Sequence, residues 1–211
     1  MKLIGMLDSP YVRRVAISLQ LLGLRFEHQS LSVFAAFAQF QQINPVVKAP
    51  TLICDDGAVL MDSTLILEYA EAISHSRSLL PTDLLELQHT LRLVGLALAA
   101  CEKSVQIIYE RRLRPPEKWH QPWVTRLTGQ LLSAYGLLED ETLRRPLAVS
   151  SETITQAGVA VAVAWQFTRE MLPEVVSASD FPSLVELSTK AEALPEFRAA
   201  PHGDSTYRGD R

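Results

Sequence analysis

The stretch LDSPYVRRV, from Leu7 to Val15, places a serine and a proline directly before an amphipathic run. From Val12 to Leu19, apolar residues recur at the spacing of one helical face. Ser9 before Pro10 is a good helix start, because serine caps free amides and proline fits the first helical position. The pattern predicts a helix over 10–22. It leaves two roles for the Ser9 hydroxyl, as a helix cap or as a donor to an atom of another molecule.

Short apolar segments flank this helix and predict an α/β domain over residues 1–74. The strand candidates are LIGML (3–7), RFEHQSL (25–31), TLIC (51–54) and AVL (58–60). The last two flank Asp-Asp-Gly, and Asp-Gly is a strong hairpin turn. A helix over 34–43 ends at Asn44-Pro45, since a residue before proline is pushed out of helical angles. Another helix follows through 65–73. A βαβ unit followed by a hairpin and a helix requires a sheet covered on both faces.

The second half of the chain has helical periodicity almost throughout. Residues 75–83 are largely polar, interrupt the pattern and predict a linker. We predict a helical domain over 84–199, with helices at 84–113 (one or two), 121–143, 153–171 and 182–194. The 153–171 segment is apolar nearly all round, which is typical of the buried central helix of a bundle. Residues 200–211 are polar and rich in turn formers, so we expect a mobile tail.

Composition and charge exclude several classes of function. The 211 residues carry a formal charge of −4 and no basic stripe, so we expect no nucleic-acid partner. No run of about twenty apolar residues occurs and no signal peptide is expected, so we predict no membrane contact. The five histidines lack ligand-like spacing, which argues against a metal site. Cys54 and Cys101 are far apart, which is typical of reduced, buried thiols, and we predict a cytoplasmic protein.

Five motifs in order resemble those of the soluble glutathione S-transferases. SPYVRRV resembles the S-P-[YF]-x-R-[KR]-V opening of the first helix in bacterial members, and NPVVKAPTL resembles N-P-x-G-K-V-P-x-L. LMDSTLILEYAEA is similar to L-x-E-S-x-x-I-x-x-Y-L. In the second half, TITQAGVAVA resembles the S-I-A-D-I-A start of the buried helix, and FPSLVELSTKAEALPEF resembles [YF]-P-x-L-x-x-W…P-x-F. On this likeness, which spans roughly residues 1–197, the chain is identified as a member of that family.

The resemblance implies a thioredoxin-like N-terminal domain with a mixed four-stranded sheet, followed by an all-helical C-terminal bundle. It also implies a homodimer. The sequence departs from the family pattern at five positions, with Val47 for glycine, Ala49 for valine, Asp62 for glutamate, Gln156 for aspartate and Leu187 for tryptophan. We expect Ala49 to act through its backbone and Asp62 to keep the charge. Gln156 still completes a predicted capping box with Thr153.

The chemistry of this family gives the Ser9 hydroxyl a specific task. The thiol of glutathione has an unperturbed pKa near the ~8.5 of a free cysteine, and the thiolate is the nucleophile. Lowering that pKa by about two units requires ~2.7 kcal/mol in favour of the anion. A hydroxyl that donates to the sulfur contributes ~1.5–3 kcal/mol, and a helix N-terminus ~0.3–1 kcal/mol. Both contributions converge at Ser9, which the resemblance makes the catalytic residue.

The residue at this position also separates subclasses of the family. Members with cysteine here form mixed disulfides and act as thiol transferases, which Ser9 cannot do. No tyrosine ends the first strand, where Met6 and Leu7 stand. We therefore predict a serine-type transferase that adds the glutathione sulfur to a small, electrophilic, partly apolar molecule. The alternative is a non-catalytic adaptor, related to stress or transcription, that uses the same fold to bind another protein.

The resemblance also assigns residues to the remainder of glutathione. Pro50 matches the family's cis-proline, which lets the Ala49 backbone pair with the cysteinyl part; the alternative is a trans proline that opens an edge strand. Lys48 meets the glycyl carboxylate or is only solvated. The Ser63 amide and hydroxyl meet the γ-glutamyl carboxylate at a helix N-terminus. Asp62 either faces the amino group or caps that helix.

Two tyrosines are candidates for the electrophile pocket. They are Tyr11 in the first helix and Tyr109 in the long helix after the linker. Arg13 and Arg14 are predicted to lie on a solvated face. Glutathione is expected as a co-substrate, with no further cofactor and no metal.

Overall fold

The structure is a computed structural model that describes residues 1–204 and 206–209. Ser205, Asp210 and Arg211, which fall in the predicted tail, lie outside the described residues. The strands are β1 (Lys2–Ile4), β2 (Glu27–Gln29), β3 (Thr51–Ile53) and β4 (Val59–Met61). The α-helices are α1 (Pro10–Leu21), α2 (Phe37–Ile43), α3 (Ser63–Ile73), α4 (Leu84–Leu113), α5 (Gln121–Arg144), α6 (Gln156–Met171), α7 (Pro182–Glu192) and α8 (Pro195–Ala199). Every predicted strand and helix segment overlaps an element of the predicted type.

The four strands form one mixed sheet in the order β2-β1-β3-β4. β1 runs parallel to β2 and antiparallel to β3, which is also antiparallel to β4. Leu3 pairs with Leu52 across β1 and β3, and both side chains are buried. Gly57, in the predicted hairpin turn, has φ of 87°, which glycine adopts without the steric cost of a side chain. The mixed four-stranded sheet that the resemblance implied is confirmed.

The chain divides into two compact units, each described here by itself. The first comprises Met1–Leu80 and the described residues from Ala193 onward, and the second comprises Pro81–Glu192. The division at Leu80 falls inside the predicted linker, residues 75–83. Its first part belongs to the first unit, where the Ser76 hydroxyl donates to the Leu22 carbonyl at 2.7 Å. Residues 193–199, predicted as part of the helical domain, group with the first unit.

Side chains of α1 explain why the C-terminal segment joins the first unit. The Arg13 Nε donates to the carbonyl of Ala200 at 2.8 Å, and the guanidinium carbon lies 5.7 Å from the centre of the Phe197 ring. Arg13 is only 1% exposed and Arg14 only 3%. The prediction that these arginines lie on a solvated face is wrong, because α1 packs against α3 and α8 as well as β1.

The described part of the predicted tail contacts β2 and its flanks. The Tyr207 amide donates to His28 Nδ1 at 3.0 Å, and its ring stacks on Phe26 with centroids 4.6 Å apart. Because Nδ1 accepts, Nε2 carries the proton and donates to the Gly5 carbonyl at 2.7 Å. The Ser30 hydroxyl donates to the Asp204 carbonyl. The predicted mobility of the tail stays a prediction.

The second unit is a helical bundle around α6. Helix α4 packs against α5 and α6, and α7 packs against α5 and α6. Twelve of the sixteen residues of α6 are buried, so the predicted central helix is confirmed. Helix α6 begins at Gln156 with Thr155 at the N-cap. The predicted capping box is therefore wrong, because the helix starts two residues later than a Thr153 cap requires.

Candidate functional site

Ser9 lies at the N-cap of α1, with Pro10 at the first helical position. Its backbone is extended (φ −74°, ψ 122°), and its Oγ accepts from the Val12 amide at 3.5 Å. A cap uses a lone pair of the hydroxyl oxygen and leaves the proton available. Among the described residues, none accepts that proton. Capping and donation to a ligand are therefore compatible roles of this half-buried hydroxyl.

Gly5 holds the start of α1 close to the segment before β3. It has φ of 136°, and a Cβ placed there would lie 2.6 Å from Val12 Cγ2 and 3.2 Å from the Ala49 Cβ. The first distance is shorter than side chains tolerate, so only glycine allows this approach. Sequence analysis did not single out Gly5, although a glycine that interrupts a strand pattern is a signal of close backbone approach.

The segment that carries Lys48, Ala49 and Pro50 has an unusual backbone. The Ala49–Pro50 peptide is cis, as the resemblance implied, and Val47 has φ of 53°. A hydrogen bond stabilises this segment, because the Thr51 hydroxyl donates to the Lys48 carbonyl at 2.7 Å. Asn44, which is 4% exposed, donates to the Thr51 hydroxyl oxygen at 2.9 Å. These hydrogen bonds of Asn44 and Thr51 were not predicted.

Asp62 and Ser63 form the start of α3. Asp62 is the N-cap, and its Oδ1 accepts from the Thr64 amide at 2.9 Å. Its Oδ2 lies 3.2 Å from Lys48 Nζ. Burial raises the pKa of Asp62, but the Thr64 amide, the Lys48 ammonium and the Arg14 guanidinium outweigh it and hold the pKa below its ordinary value. Of the two roles predicted for Asp62, the cap is observed.

Arg14 connects α1 to the same helix start. One guanidinium nitrogen, Nη1, lies 3.2 Å from the Ser63 hydroxyl oxygen and 3.4 Å from that of Thr64. Both arginine and serine are 3% exposed. Helical periodicity alone gave no signal for this contact, because it joins two helices that are about fifty residues apart in sequence.

The predicted residues for glutathione therefore lie in one unit, and several are directly connected. Ser9, Lys48, Ala49, Pro50, Asp62 and Ser63 all belong to the first unit. Gly5 lies close to both Ala49 and Val12 of α1, and Lys48 forms an ion pair with Asp62. Two helix N-termini, two hydroxyls and a lysine give a surface suited to a ligand with several anionic groups.

The two candidate pocket tyrosines lie in different units. Tyr11 is half-buried in α1 of the first unit, and Tyr109 is 42% exposed in α4 of the second. The role of each tyrosine in binding the electrophile stays a prediction. Within the described ranges, no three histidine, cysteine or acidic side chains are grouped as metal ligands, and no helix is long and apolar enough to cross a bilayer.

Comparison with known proteins identifies the class to which this fold and site belong. The family described as "Glutathione S-transferase, N-terminal domain" matches residues 3–78. A glutathione transferase family member from Pseudomonas fluorescens Pf-5, solved with bound glutathione, is 30% identical, and the match covers 94% of this chain and 97% of that one with a TM-score of 0.82. The chain belongs to the glutathione S-transferase family.

Two further proteins are similar to this chain over nearly its whole length. The uncharacterized GST-like protein YibF of Escherichia coli is 27% identical over 187 residues, which cover 89% of this chain and 91% of YibF. A glutathione S-transferase from Methylobacterium radiotolerans, solved with glutathione sulfonate, is 26% identical with a TM-score of 0.87. That match covers 100% of this chain and 98% of the other.

Proposed function

We propose that this chain is a serine-type glutathione transferase that adds the sulfur of glutathione to a small, electrophilic, partly apolar molecule. The observation that carries the proposal is the Ser9 hydroxyl. It sits at the N-terminus of a helix, its oxygen caps that helix, and its proton has no acceptor among the described residues. The relatives solved with glutathione and glutathione sulfonate support the choice of ligand.

The physical requirement is a lower thiol pKa in the bound tripeptide. A charge-assisted hydrogen bond from Ser9 contributes ~1.5–3 kcal/mol to the thiolate. The N-terminus of α1 contributes ~0.3–1 kcal/mol more. Together they supply the ~2.7 kcal/mol that a shift of about two pKa units requires. Toward the sulfur, Ser9 acts only as a donor, so the mechanism needs neither a histidine base nor a covalent intermediate.

The other residues of the site each bind a different part of the tripeptide. The Ala49 backbone pairs with the cysteinyl part, in the manner of an added strand. Ser63 receives the γ-glutamyl carboxylate at the N-terminus of α3. Lys48 and Asp62, which pair with each other at 3.2 Å, exchange that contact for the glycyl carboxylate and the γ-glutamyl amino group. Asp62 keeps its cap, because Oδ1 bonds the Thr64 amide while Oδ2 faces outward to Lys48.

The other expectations belong to the same proposal. Tyr11 and Tyr109 contribute to binding of the electrophile. The protein is a cytoplasmic homodimer, without a cofactor beyond glutathione as co-substrate. A non-catalytic adaptor, the alternative function, need not bind glutathione.

The test replaces Ser9 with alanine and, separately, with glycine. Alanine removes the cap and costs ~1 kcal/mol of stability, whereas glycine at an N-cap costs only a few tenths. Both remove the hydroxyl proton. We expect turnover of an activated halo-nitroaromatic to fall about 10–100-fold in both variants. The glutathione Kd measured by calorimetry near pH 7 should rise by no more than about fivefold, because only the ionised thiol loses the hydrogen bond. Turnover that is lost in S9A but kept in S9G would assign Ser9 to capping alone, and a wild type that binds no glutathione would favour the adaptor.

A further inference from the structure

Arg14 is a buried charge directly behind the start of α3. Its side chain is 3% exposed and it reaches from α1 to the first turn of that helix. Nη1 donates to the Ser63 hydroxyl oxygen at 3.2 Å, with the Thr64 hydroxyl oxygen at 3.4 Å. A guanidinium only donates hydrogen bonds. The oxygen of Ser63 is therefore an acceptor in this contact, and its proton must point elsewhere.

The direction of that proton matters because Ser63 is itself 3% exposed. No described residue accepts a hydrogen bond from its hydroxyl. Ser63 is also the first residue of α3, where backbone amides have no partner within the helix. Asp62 occupies the Thr64 amide, but the Ser63 hydroxyl proton and amide stay available. Both are donors, and the positive charge of Arg14 stands behind them.

We propose that Arg14 is a positioning residue that turns the Ser63 hydroxyl toward the ligand and makes this subsite select an ionised α-carboxylate. The inference rests on the proposed function for the identity of the carboxylate, which is that of the γ-glutamyl group. Arg14 does not touch the ligand. It occupies one lone pair of the Ser63 hydroxyl oxygen, so that the hydroxyl proton points outward, and it adds positive charge at the helix start. A carboxamide in place of the carboxylate still accepts a hydrogen bond through its oxygen, but it lacks the negative charge that strengthens this bond and that interacts with Arg14.

The test compares two ligands that differ only at this group. They are glutathione and its analogue with the γ-glutamyl α-carboxylate converted to the α-carboxamide. Binding of each is measured by calorimetry for the wild type, Arg14→Gln and Arg14→Lys. We expect the wild type to prefer glutathione by at least about tenfold, as for a hydrogen-bonded charge. Arg14→Gln reduces the preference to about threefold or less, mainly through weaker binding of glutathione, and Arg14→Lys gives an intermediate value.

Lys48→Gln is the matched control. Lys48 is proposed to meet the other end of the tripeptide, so its loss weakens both ligands by the same factor and leaves their ratio unchanged. The ratio of the two dissociation constants does not depend on the fraction of protein that is folded. If Arg14→Gln fails to fold, the ratio measured for Arg14→Lys tests the proposal. If Arg14→Gln leaves the ratio of the two dissociation constants unchanged, the role of Arg14 is overturned. The proposed function is not affected by that result. A wild type that binds neither ligand overturns the proposed function and this inference with it.

Discussion

Val47 is the position where the chain gives the clearest prediction about stability. Its φ of 53° lies in the left-handed region, where an L-residue pays ~1–2 kcal/mol and a β-branched one is an outlier. The family pattern that the sequence resembles has glycine here. Elsewhere, glycine is about 0.5–1 kcal/mol less favourable than alanine because it loses more backbone freedom on folding. At residue 47 the larger steric cost reverses the order, so Val47→Gly should be more stable than Val47→Ala by roughly 1 kcal/mol.

Comparing the glycine variant with the alanine variant excludes the effect of valine packing on the difference in stability. Val47 packs on a cluster of Ile4, Leu31 and Phe40, and both substitutions lose nearly all of that contact. Val46 supplies a matched control pair, because it is 62% exposed and is not among the residues with positive φ. There the ordinary order should hold, with Val46→Ala more stable than Val46→Gly.

The assay is thermal unfolding of the four variants under identical conditions. For a chain of this length, a change of 1 kcal/mol shifts the midpoint by about 2–4 °C. We expect the glycine variant to melt higher than the alanine variant at residue 47 and lower at residue 46. The same order at both positions would refute the claim that the backbone at residue 47 is strained.

The other predictions concern charged groups of the first unit. Lys48→Gln should raise the Kd for glutathione about fivefold, as expected for a partly exposed ion pair, and weaken its dependence on salt; an unchanged Kd would remove Lys48 from the site. Burial lowers the pKa of His28 from 6.5 despite the Gly5 carbonyl that its ring contacts. Its contribution to stability is therefore complete above pH 6.5 and is lost as pH falls toward the lowered pKa. His28→Gln should flatten this part of the profile of unfolding free energy against pH, and an unaltered slope would contradict the assignment. Arg13→Met leaves the buried Ala200 carbonyl without its donor and should cost about 2 kcal/mol in chemical denaturation, whereas the exposed Arg198→Met should cost almost nothing.

Local patterns in the sequence were sufficient for most of the fold. The Asp-Gly turn, the proline after Asn44 and the helical spacing after Ser9 each act through the conformations of neighbouring residues, and each predicted element is present. The resemblance supplied the cis peptide at Pro50, which no local rule predicts. A cap and a donor are the two alternative roles predicted for Ser9; the cap is observed, and the role as a donor stays a proposal.

The errors arise where distant segments meet. The prediction of a solvated face for Arg13 is wrong because periodicity describes one helix and does not reveal that Phe197 and Ala200 contact its side chain. The contact of Arg14 with Ser63 joins two helices across the sequence, so it also lay beyond local rules. The positive φ at Val47 opposes the backbone preference of a β-branched residue, so the identity of this residue does not predict it.

The most direct test of the account is the pKa of the glutathione thiol in the bound state. It can be obtained by ultraviolet titration of the thiolate in complexes with the wild type and with Ser9→Gly, which keeps the helix start nearly as stable. We predict a thiol pKa about two units below the free value of ~8.5 in the wild-type complex, and a rise of about one to two units in the variant, equal to the loss of one charge-assisted hydrogen bond. The same thiol pKa in both complexes would contradict the central claim.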